Sequence, residues 1–224
     1  MIFSYKPKEI KNVFYEEKID YALFIKHLYN ILKRIYLLDS ENREKKLRFF
    51  LKRLEIFSEI LEGKVVTEFK EIEPEKFIQN VISEIKNTED IKFIDFEISL
   101  QEDFTFVSEP EILKFILIEI LRNSIWACKG QGKIKVSFKK NEYNVYIEIE
   151  DSGIGINRDI KEKIFLPFTQ FNERFYNGFG LGLPIIKGLS KFIACNIEVD
   201  TRLSSGCVFR LILPLNLKVR KGNL

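Results

Sequence analysis

The spacing of apolar side chains along the first 62 residues predicts two consecutive helices. Residues 16–38 contain no Gly or Pro, and their apolar positions alternate spacings of four and three, as in a heptad seam: Phe24, Leu28, Ile31, Ile35 and Leu38. Asp39 and Ser40 supply a turn and an N-cap. A second helix follows to about Leu61, with the apolar stripe Leu47, Leu51, Leu54, Phe57 and Leu61. The pattern predicts a helical hairpin.

The second helix carries more apolar surface than one antiparallel partner can cover, because Phe50 and Ile60 widen its stripe. Two helices that are joined by a short turn and carry excess apolar surface are expected to dimerise, so that two such hairpins form a four-helix bundle. We therefore expect a homodimer through residues 16–62. The alternative is a monomeric hairpin packed on the rest of the chain. Gly63 ends the second helix, which predicts one domain over residues 1–64 and another over 65–224.

Beyond residue 65 the period of the pattern changes repeatedly between helix and strand. Ser108, followed by Pro110 and flanking acidic residues, is predicted to be the N-cap of a long apolar helix. Ser204-Ser205-Gly206 is predicted to join the last two strands. The predicted elements are helices over 76–85, 109–128, 159–164 and 183–193 and strands over 91–100, 133–138, 143–150, 196–203 and 207–215. This irregular alternation predicts an α+β sandwich and not a doubly wound βαβ array.

Composition narrows the class of protein. The chain has 224 residues, 46% hydrophobic and 31% charged, as in a globular protein. A net charge of +3 is too balanced to suggest nucleic-acid binding, and no apolar run reaches the roughly 17–25 residues of a membrane span. Three scattered cysteines argue against a disulfide framework, and the first eight residues lack the long apolar core that is expected of a signal peptide. The chain is therefore expected to be cytoplasmic.

A carboxylate and two glycines follow the strand predicted over 143–150. Asp151 stands where this strand ends, with Gly153 and Gly155 just after it. Glycine lets the backbone turn sharply and approach a ligand, and a carboxylate can accept hydrogen bonds from a ligand amine. Taken alone, the pattern fits an ordinary turn or a ligand site.

Two further patterns carry candidate chemistry. Glu119 and Asn123 lie one turn apart on a largely buried helix, where they form either a satisfied core pair or a site for a hard cation such as Mg²⁺. Gly178, Gly180 and Gly182 open the helix that begins at Leu183 and could present backbone N–H groups to phosphates. Neither a Walker motif nor a dinucleotide fingerprint is present.

Taken in order, these motifs resemble those of the Bergerat-fold (GHKL) ATPase superfamily, and within it the two-component sensor histidine kinases. Four motifs of this family have counterparts in the chain. The family's N box is similar to Glu119–Asn123 and its first glycine box to Asp151–Ile156. Its phenylalanine box is similar to Ile164–Phe168 and its second glycine box to Gly178–Leu183. The last loop resembles residues 204–209. The resemblance covers about residues 65–215.

The resemblance implies an ATP site. Asp151 is expected to accept a hydrogen bond from the adenine amino group, and Asn123 to hold Mg²⁺ with Glu119 orienting a water molecule. Arg174, the one basic residue of the lid, is the candidate for contacting the terminal phosphate. Trp126 departs from the family, where this position is often basic, and the short lid resembles that of nitrogen-sensor kinases. The nucleotide-binding set implied is Asn123, Asp151, Gly153, Gly155, Ile156, Phe168, Arg174, Gly178, Gly180, Leu181 and Gly182.

The single histidine, His27, falls at a g position on the flank of the heptad seam. The resemblance implies that it takes the γ-phosphoryl group of ATP and passes it to an aspartate of a response regulator. Leu28 stands where the family usually has an acidic residue, and Ile31 where it often has Thr or Asn. Two alternatives stay open: an ATP-gated interaction module in which His27 is inert, and a serine-directed kinase of the same fold.

Overall fold

The computed structural model describes residues 28–29, 31–33, 35–37, 39–88, 91–168, 180–201 and 206–215. The described residues fall into two compact units. Thr67–Glu162 and the residues from Leu189 onward form the first unit. The residues up to Val66 and Lys163–Gly188 form the second. The division into domains at residues 64 and 65 stays a prediction.

The first unit is built on a five-stranded mixed sheet, as expected for an α+β protein. Its strand order is β2-β4-β5-β7-β6, with β2 parallel to β4 and every other neighbouring pair antiparallel. The strands are β1 (Lys70–Ile72), β2 (Phe93–Leu100), β3 (Phe106–Ser108), β4 (Gln131–Lys140), β5 (Asn144–Asp151), β6 (Asn196–Thr201) and β7 (Cys207–Pro214). The predicted α+β class and the hairpin of β4 and β5 are confirmed.

Alternation along the strands gives the sheet one apolar and one charged face. Ile147 of β5 is fully buried beside Leu211 of β7, its partner in the register. On the opposite face, the Arg210 guanidinium bridges the carboxylates of Glu148, at 2.7 Å, and Glu198, at 3.3 Å. Because residues of opposite parity point to opposite faces of a strand, the same sequence supplies both surfaces.

Two helices of the first unit pack against this sheet. Helix α2 (Pro74–Thr88) contacts β2 and the longer helix α3 (Pro110–Ala127), and α3 also contacts β4 and β5. Ten side chains of α3 are buried, which explains its nearly continuous apolar sequence. The end of α3 is therefore held against the strand that carries Asp151.

The start of α3 differs from the sequence prediction. Ser108 is the last residue of β3, which pairs antiparallel with β1 through Lys70 and Ser108. The N-cap is Glu109, which has extended backbone angles and a carboxylate that accepts the N–H of Ile112. Burial raises the pKa of the Glu109 carboxyl, although backbone N–H donors oppose the shift. The assignment of Ser108 as the cap was wrong because the small sheet already uses its backbone.

The second unit contains the helix predicted after the turn at Asp39. Helix α1 (Ser40–Glu62) buries Phe50, Phe57 and Ile60, whereas Leu51 of the predicted stripe is 53% exposed. The described residues between 28 and 36 are helical, with Ile31 and Ile35 buried. His27 lies outside the described residues.

Two further elements complete the described chain. A 3₁₀ helix spans Arg158–Phe165, where the sequence predicted a short helix. Helix α4 (Gly182–Phe192) begins one residue earlier than predicted. Among the described residues, no helix is both long enough and apolar enough to cross a bilayer.

Candidate functional site

Asp151 is the last residue of β5, and its carboxylate points to the buried face of the sheet. The side chain is 3% exposed. Its Oδ2 accepts a hydrogen bond from the Ser124 hydroxyl at 3.2 Å, and its Oδ1 accepts the Gly153 N–H at 2.9 Å. An ionised carboxylate offers about four acceptor positions. The Cys207 backbone is a third donor to this carboxylate, so about one position remains for a ligand that donates a hydrogen bond.

The environment of this carboxylate balances two opposing effects. Burial raises the pKa of Asp151, and the nearby charge of Glu150 acts in the same direction. Hydrogen bonds from Gly153, Ser124 and the Cys207 backbone lower the pKa and limit the rise. The site is thus an acceptor in a desolvated setting, where a hydrogen bond to a charged group is strong.

The first glycine of the motif lets the loop after β5 pack directly on the end of α3. A Cβ atom at Gly153 would lie 2.6 Å from the carbonyl carbon of Ala127, a separation that real Cβ atoms do not show. The Ile154 N–H donates to the Ala127 carbonyl at 3.1 Å. Gly155 adopts a φ of +72°, which favours glycine. Both glycines are therefore required by the backbone that surrounds Asp151.

Backbone contacts hold the loop from two further directions. Ser152 and Lys133 exchange hydrogen bonds: the Lys133 N–H donates to the Ser152 hydroxyl at 2.8 Å, and the Ser152 N–H donates to the Lys133 carbonyl at 3.0 Å. Gly206, at a φ of +97°, approaches Asp151 so closely that an added Cβ would overlap the Asp151 carbonyl oxygen. The strand end is thus enclosed by α3, β4 and the start of β7.

Asn123 and Glu119 lie on the turn of α3 that precedes Ser124. Glu119 is 5% exposed, and its Oε1 lies 3.7 Å from a guanidinium nitrogen of Arg122. Asn123 is half-buried. Because Ser124 bonds to Asp151, this turn lies against the strand end. Its oxygen donors are the kind that Mg²⁺ selects when phosphates and water supply the remaining ligands. The donor set therefore fits that ion.

The second glycine motif belongs to the second unit. Its first described residue, Gly180, is hydrogen-bonded to Phe168 of the phenylalanine motif. The Phe168 N–H donates to the Gly180 carbonyl at 2.8 Å, with positive φ angles of 61° and 67° at the two residues. Leu181 is fully buried, and its carbonyl accepts the Ile185 N–H in the first turn of α4, which Gly182 begins. Arg174 and Gly178 lie outside the described residues.

Comparison with known proteins identifies the part of the chain that carries these motifs. Residues 108–217 match the family model of the histidine kinase-, DNA gyrase B- and HSP90-like ATPases. The match begins just before α3 and includes β4, β5, α4, β6 and β7. This domain belongs to the GHKL ATPases.

Relatives of the GHKL domain are histidine kinases. The signal transduction histidine-protein kinase AtoS of Escherichia coli is 33% identical over 125 residues, 55% of this chain and 20% of AtoS. Sporulation kinase E of Bacillus subtilis is 27% identical over 198 residues, 88% of this chain and 24% of that kinase. The chain spans about a fifth to a quarter of the length of these relatives.

Solved structures give the same result for the fold. The catalytic domain of the histidine kinase ThkA, in a nucleotide-free form, aligns with a TM-score of 0.58 and 28% identity over 66% of this chain and 98% of that domain. ThkA in complex with the response regulator protein TrrA aligns with a TM-score of 0.65 and 28% identity over 94% of this chain and 64% of that chain. The domain is therefore of the histidine kinase catalytic type.

The structure of the GHKL domain adds residues that the sequence did not single out. Ser124 donates to Asp151, and Ala127 provides the backbone surface that excludes a side chain at Gly153. Ser124 directly follows Asn123, so a small hydroxyl residue beside the N box was the available signal. Ala127 gave none, because its contribution comes from backbone atoms.

Proposed function

We propose that this chain is an ATP-dependent protein histidine kinase. The observation that carries the proposal is the buried Asp151 carboxylate, held by Ser124 and Gly153 at a strand end of a GHKL domain. This arrangement suits recognition of an amine such as that of adenine, because it combines a desolvated acceptor with a backbone that cannot relax around it.

In this proposal the nucleotide is bound through the residues of the two glycine motifs. Gly153, Gly155 and Ile156 lie beside the adenine, next to Asp151. Phe168, Gly180, Leu181 and Gly182 frame the segment that covers the phosphates, with Gly178 in the same segment and Arg174 contacting the terminal phosphate. The hydrogen bond between Phe168 and Gly180 supports this role, because it fixes the ends from which that segment departs.

We propose that Asn123 would hold Mg²⁺ against the phosphates and that Glu119 would orient a water molecule beside it. The ion supplies neutralisation of phosphate charge. The buried position of Glu119 and its proximity to Arg122 support an orienting role, because both restrict the carboxylate to few positions.

His27 is the proposed phosphoacceptor. A ring nitrogen of the neutral imidazole attacks the γ-phosphorus in line, the bond to the bridging oxygen breaks, and ADP leaves. The phosphoryl group then passes to an aspartate oxygen of a response regulator, which regenerates the imidazole. The proposed helical domain is residues 1–64, dimeric through residues 16–62 as a four-helix bundle, with the catalytic domain over 65–224 in the cytoplasm. The alignment with sporulation kinase E covers 88% of the chain and therefore residues of both proposed domains. This coverage supports the proposal that the two domains occur together in one kinase.

The test is incubation with ATP labelled at the γ-phosphate. Wild type should acquire phosphate that is stable in base and labile in acid, and His27→Gln should acquire none. Lys33→Gln, a change at an exposed position within the helix that the sequence predicts over 16–38, is the matched control and should be labelled like wild type. Label that survives His27→Gln would overturn the assignment. Nucleotide binding without labelling would favour the ATP-gated module, and acid-stable phosphate on a partner would favour the serine-directed kinase.

A further inference from the structure

An acidic groove lies in the first unit, between the start of α2 and the connection from β2 to β3. Its volume is about 590 Å³. Three carboxylates line it, those of Glu73, Glu75 and Asp103, together with the apolar side chains of Leu100 and Phe104. The nucleotide-binding residues proposed above lie elsewhere in the sequence, so the groove needs an explanation of its own.

The carboxylates of the groove are not neutralised within the described part of the chain. There, Glu73, Glu75 and Asp103 form no ion pair, and Lys76 is the single cation of the lining. At the rim the contrast is clear, because Glu102 already pairs with Lys140 at 3.4 Å. The lining therefore carries two more negative than positive charges, which favours a cationic occupant.

A cationic segment of the same chain starts near this groove. Residues 216–224, which follow the last described residue, contain three cations and no acidic residue: Lys218, Arg220 and Lys221. The Leu215 N–H donates to the Tyr143 carbonyl at 2.8 Å, so β7 ends beside the turn between β4 and β5. The segment thus departs from the same end of the strands as the one where the groove lies, beside β2.

The strand register shows that the segment can reach the groove. Lys140 pairs with Val145, which in turn pairs with Leu213, so Lys140 and Leu213 are two strand spacings apart, about 10 Å. The Lys140 ammonium lies 5.4 Å from the ring centroid of Phe104, which lines the groove. Nine extended residues span up to about 30 Å. The length of the segment exceeds what the crossing requires.

We propose that residues 216–224 dock in this groove of their own chain, with the side chains of Lys218, Arg220 and Lys221 against the carboxylates of Glu73, Glu75 and Asp103. Docking buries the apolar floor around Phe104 and tethers the end of the central sheet to α2. The surface is an intramolecular one, and it is separate from the proposed transfer of phosphate.

The test places a spin label on Lys221→Cys in the otherwise intact chain and measures paramagnetic broadening of backbone amide signals. The native thiols will not compete for the label, because Cys128, Cys195 and Cys207 are buried and burial raises the pKa of the last two to about 12. The amides of groove residues should lose most of their signal. Raising the salt concentration to about 1 M, where the Debye length falls to about 3 Å, should restore it.

Matched variants separate charge recognition from chance proximity. Glu73→Lys combined with Asp103→Lys should abolish the broadening, whereas Glu55→Lys combined with Glu59→Lys, an equal charge change on exposed positions of α1, should leave it intact. A mixed sample tests whether the segment in the groove comes from the same chain or from a second copy. It combines chains that carry the spin label but no NMR isotope with chains that carry the isotope but no spin label. Broadening in the mixture would mean that a second copy supplies the segment and would overturn the intrachain proposal. Groove amides that keep full intensity in the labelled chain would overturn it as well.

Discussion

Replacing Asp151 by Asn should remove nucleotide binding while leaving the fold intact. Asn offers one acceptor oxygen, which the Gly153 N–H already occupies in wild type at 2.9 Å. The amide NH₂ of Asn would then face the Ser124 hydroxyl and the ligand amine. The hydroxyl can rotate to accept a hydrogen bond from this amide, whereas the ligand amine is itself a donor and cannot accept one. The lost charge-assisted hydrogen bond costs about 1.5–3 kcal/mol, and the unpaired donor about 1–3 kcal/mol more. We therefore expect Kd to rise by roughly two to four orders of magnitude.

The same substitution should not destabilise the unliganded protein. The folded-state pKa of Asp151 is raised by burial, so the native state holds the proton more tightly than the unfolded chain does. The stabilisation that this carboxyl supplies is complete below its unfolded pKa and is lost as pH rises through the folded pKa. At neutral pH the carboxylate opposes folding, and Asn removes that cost. The free energy of unfolding should stay equal or increase.

Calorimetric titration with ATP and urea unfolding at pH 7 measure the two effects separately. Asp95→Asn, at an exposed position of β2, is the matched control and should change neither quantity. Wild-type affinity in Asp151→Asn would refute the assigned role of the carboxylate. A loss of several kcal/mol of stability would instead refute the argument from burial.

Three further substitutions test the surroundings of the site and the sheet. Gly206→Ala should cost at least about 2 kcal/mol more in urea unfolding than Gly130→Ala, because both have positive φ but only Gly206 has no space for a Cβ; equal losses would refute this. Ser124→Ala should raise the pKa of the strand-end carboxyl further and destabilise the fold by about 1.5–3 kcal/mol, measured by carboxyl NMR titration and denaturation; an unchanged pKa would contradict the hydrogen bond. The pKa of the Glu97 carboxyl should be about 2, because Lys133 and Lys135 donate hydrogen bonds to its carboxylate. The stabilisation that this group supplies should be present above its unfolded pKa and lost as pH falls through its folded pKa. A titration midpoint near 4.5 would count against both ion pairs.

Within the described residues, the longer strands and helices of the sheet unit were predicted, whereas the two three-residue strands were not. Strand β5 alternates over its whole length, so both its position and the placement of Asp151 at its end followed from the sequence. Strands β1 and β3 have three residues each, too few to establish a period, and they exist because they pair with each other. The misassigned cap at Ser108 is a direct result, since its backbone belongs to that pairing.

Non-local contacts account for the rest of what the sequence left open. The parallel pairing of β2 with β4 joins segments separated by the whole of α3, and no local pattern records it. Ser124 became part of the site only through its hydrogen bond to Asp151, 27 residues away. By contrast, the need for glycine at position 155 could be inferred in advance, because that residue acts through its own backbone, at a φ of +72°.

The fit of Gly153 on Ala127 also bears on the entropy of binding. The loop that follows Asp151 rests on helix backbone, so its position is fixed before any ligand arrives. A preorganised site loses little conformational entropy when it is filled, and small fragments can bind with high efficiency per atom. Adenine alone should therefore be captured at this end of the site without the ordering of any other segment. Larger compounds built outward from an adenine-like fragment would therefore keep the affinity that the fragment gains from the preorganised loop.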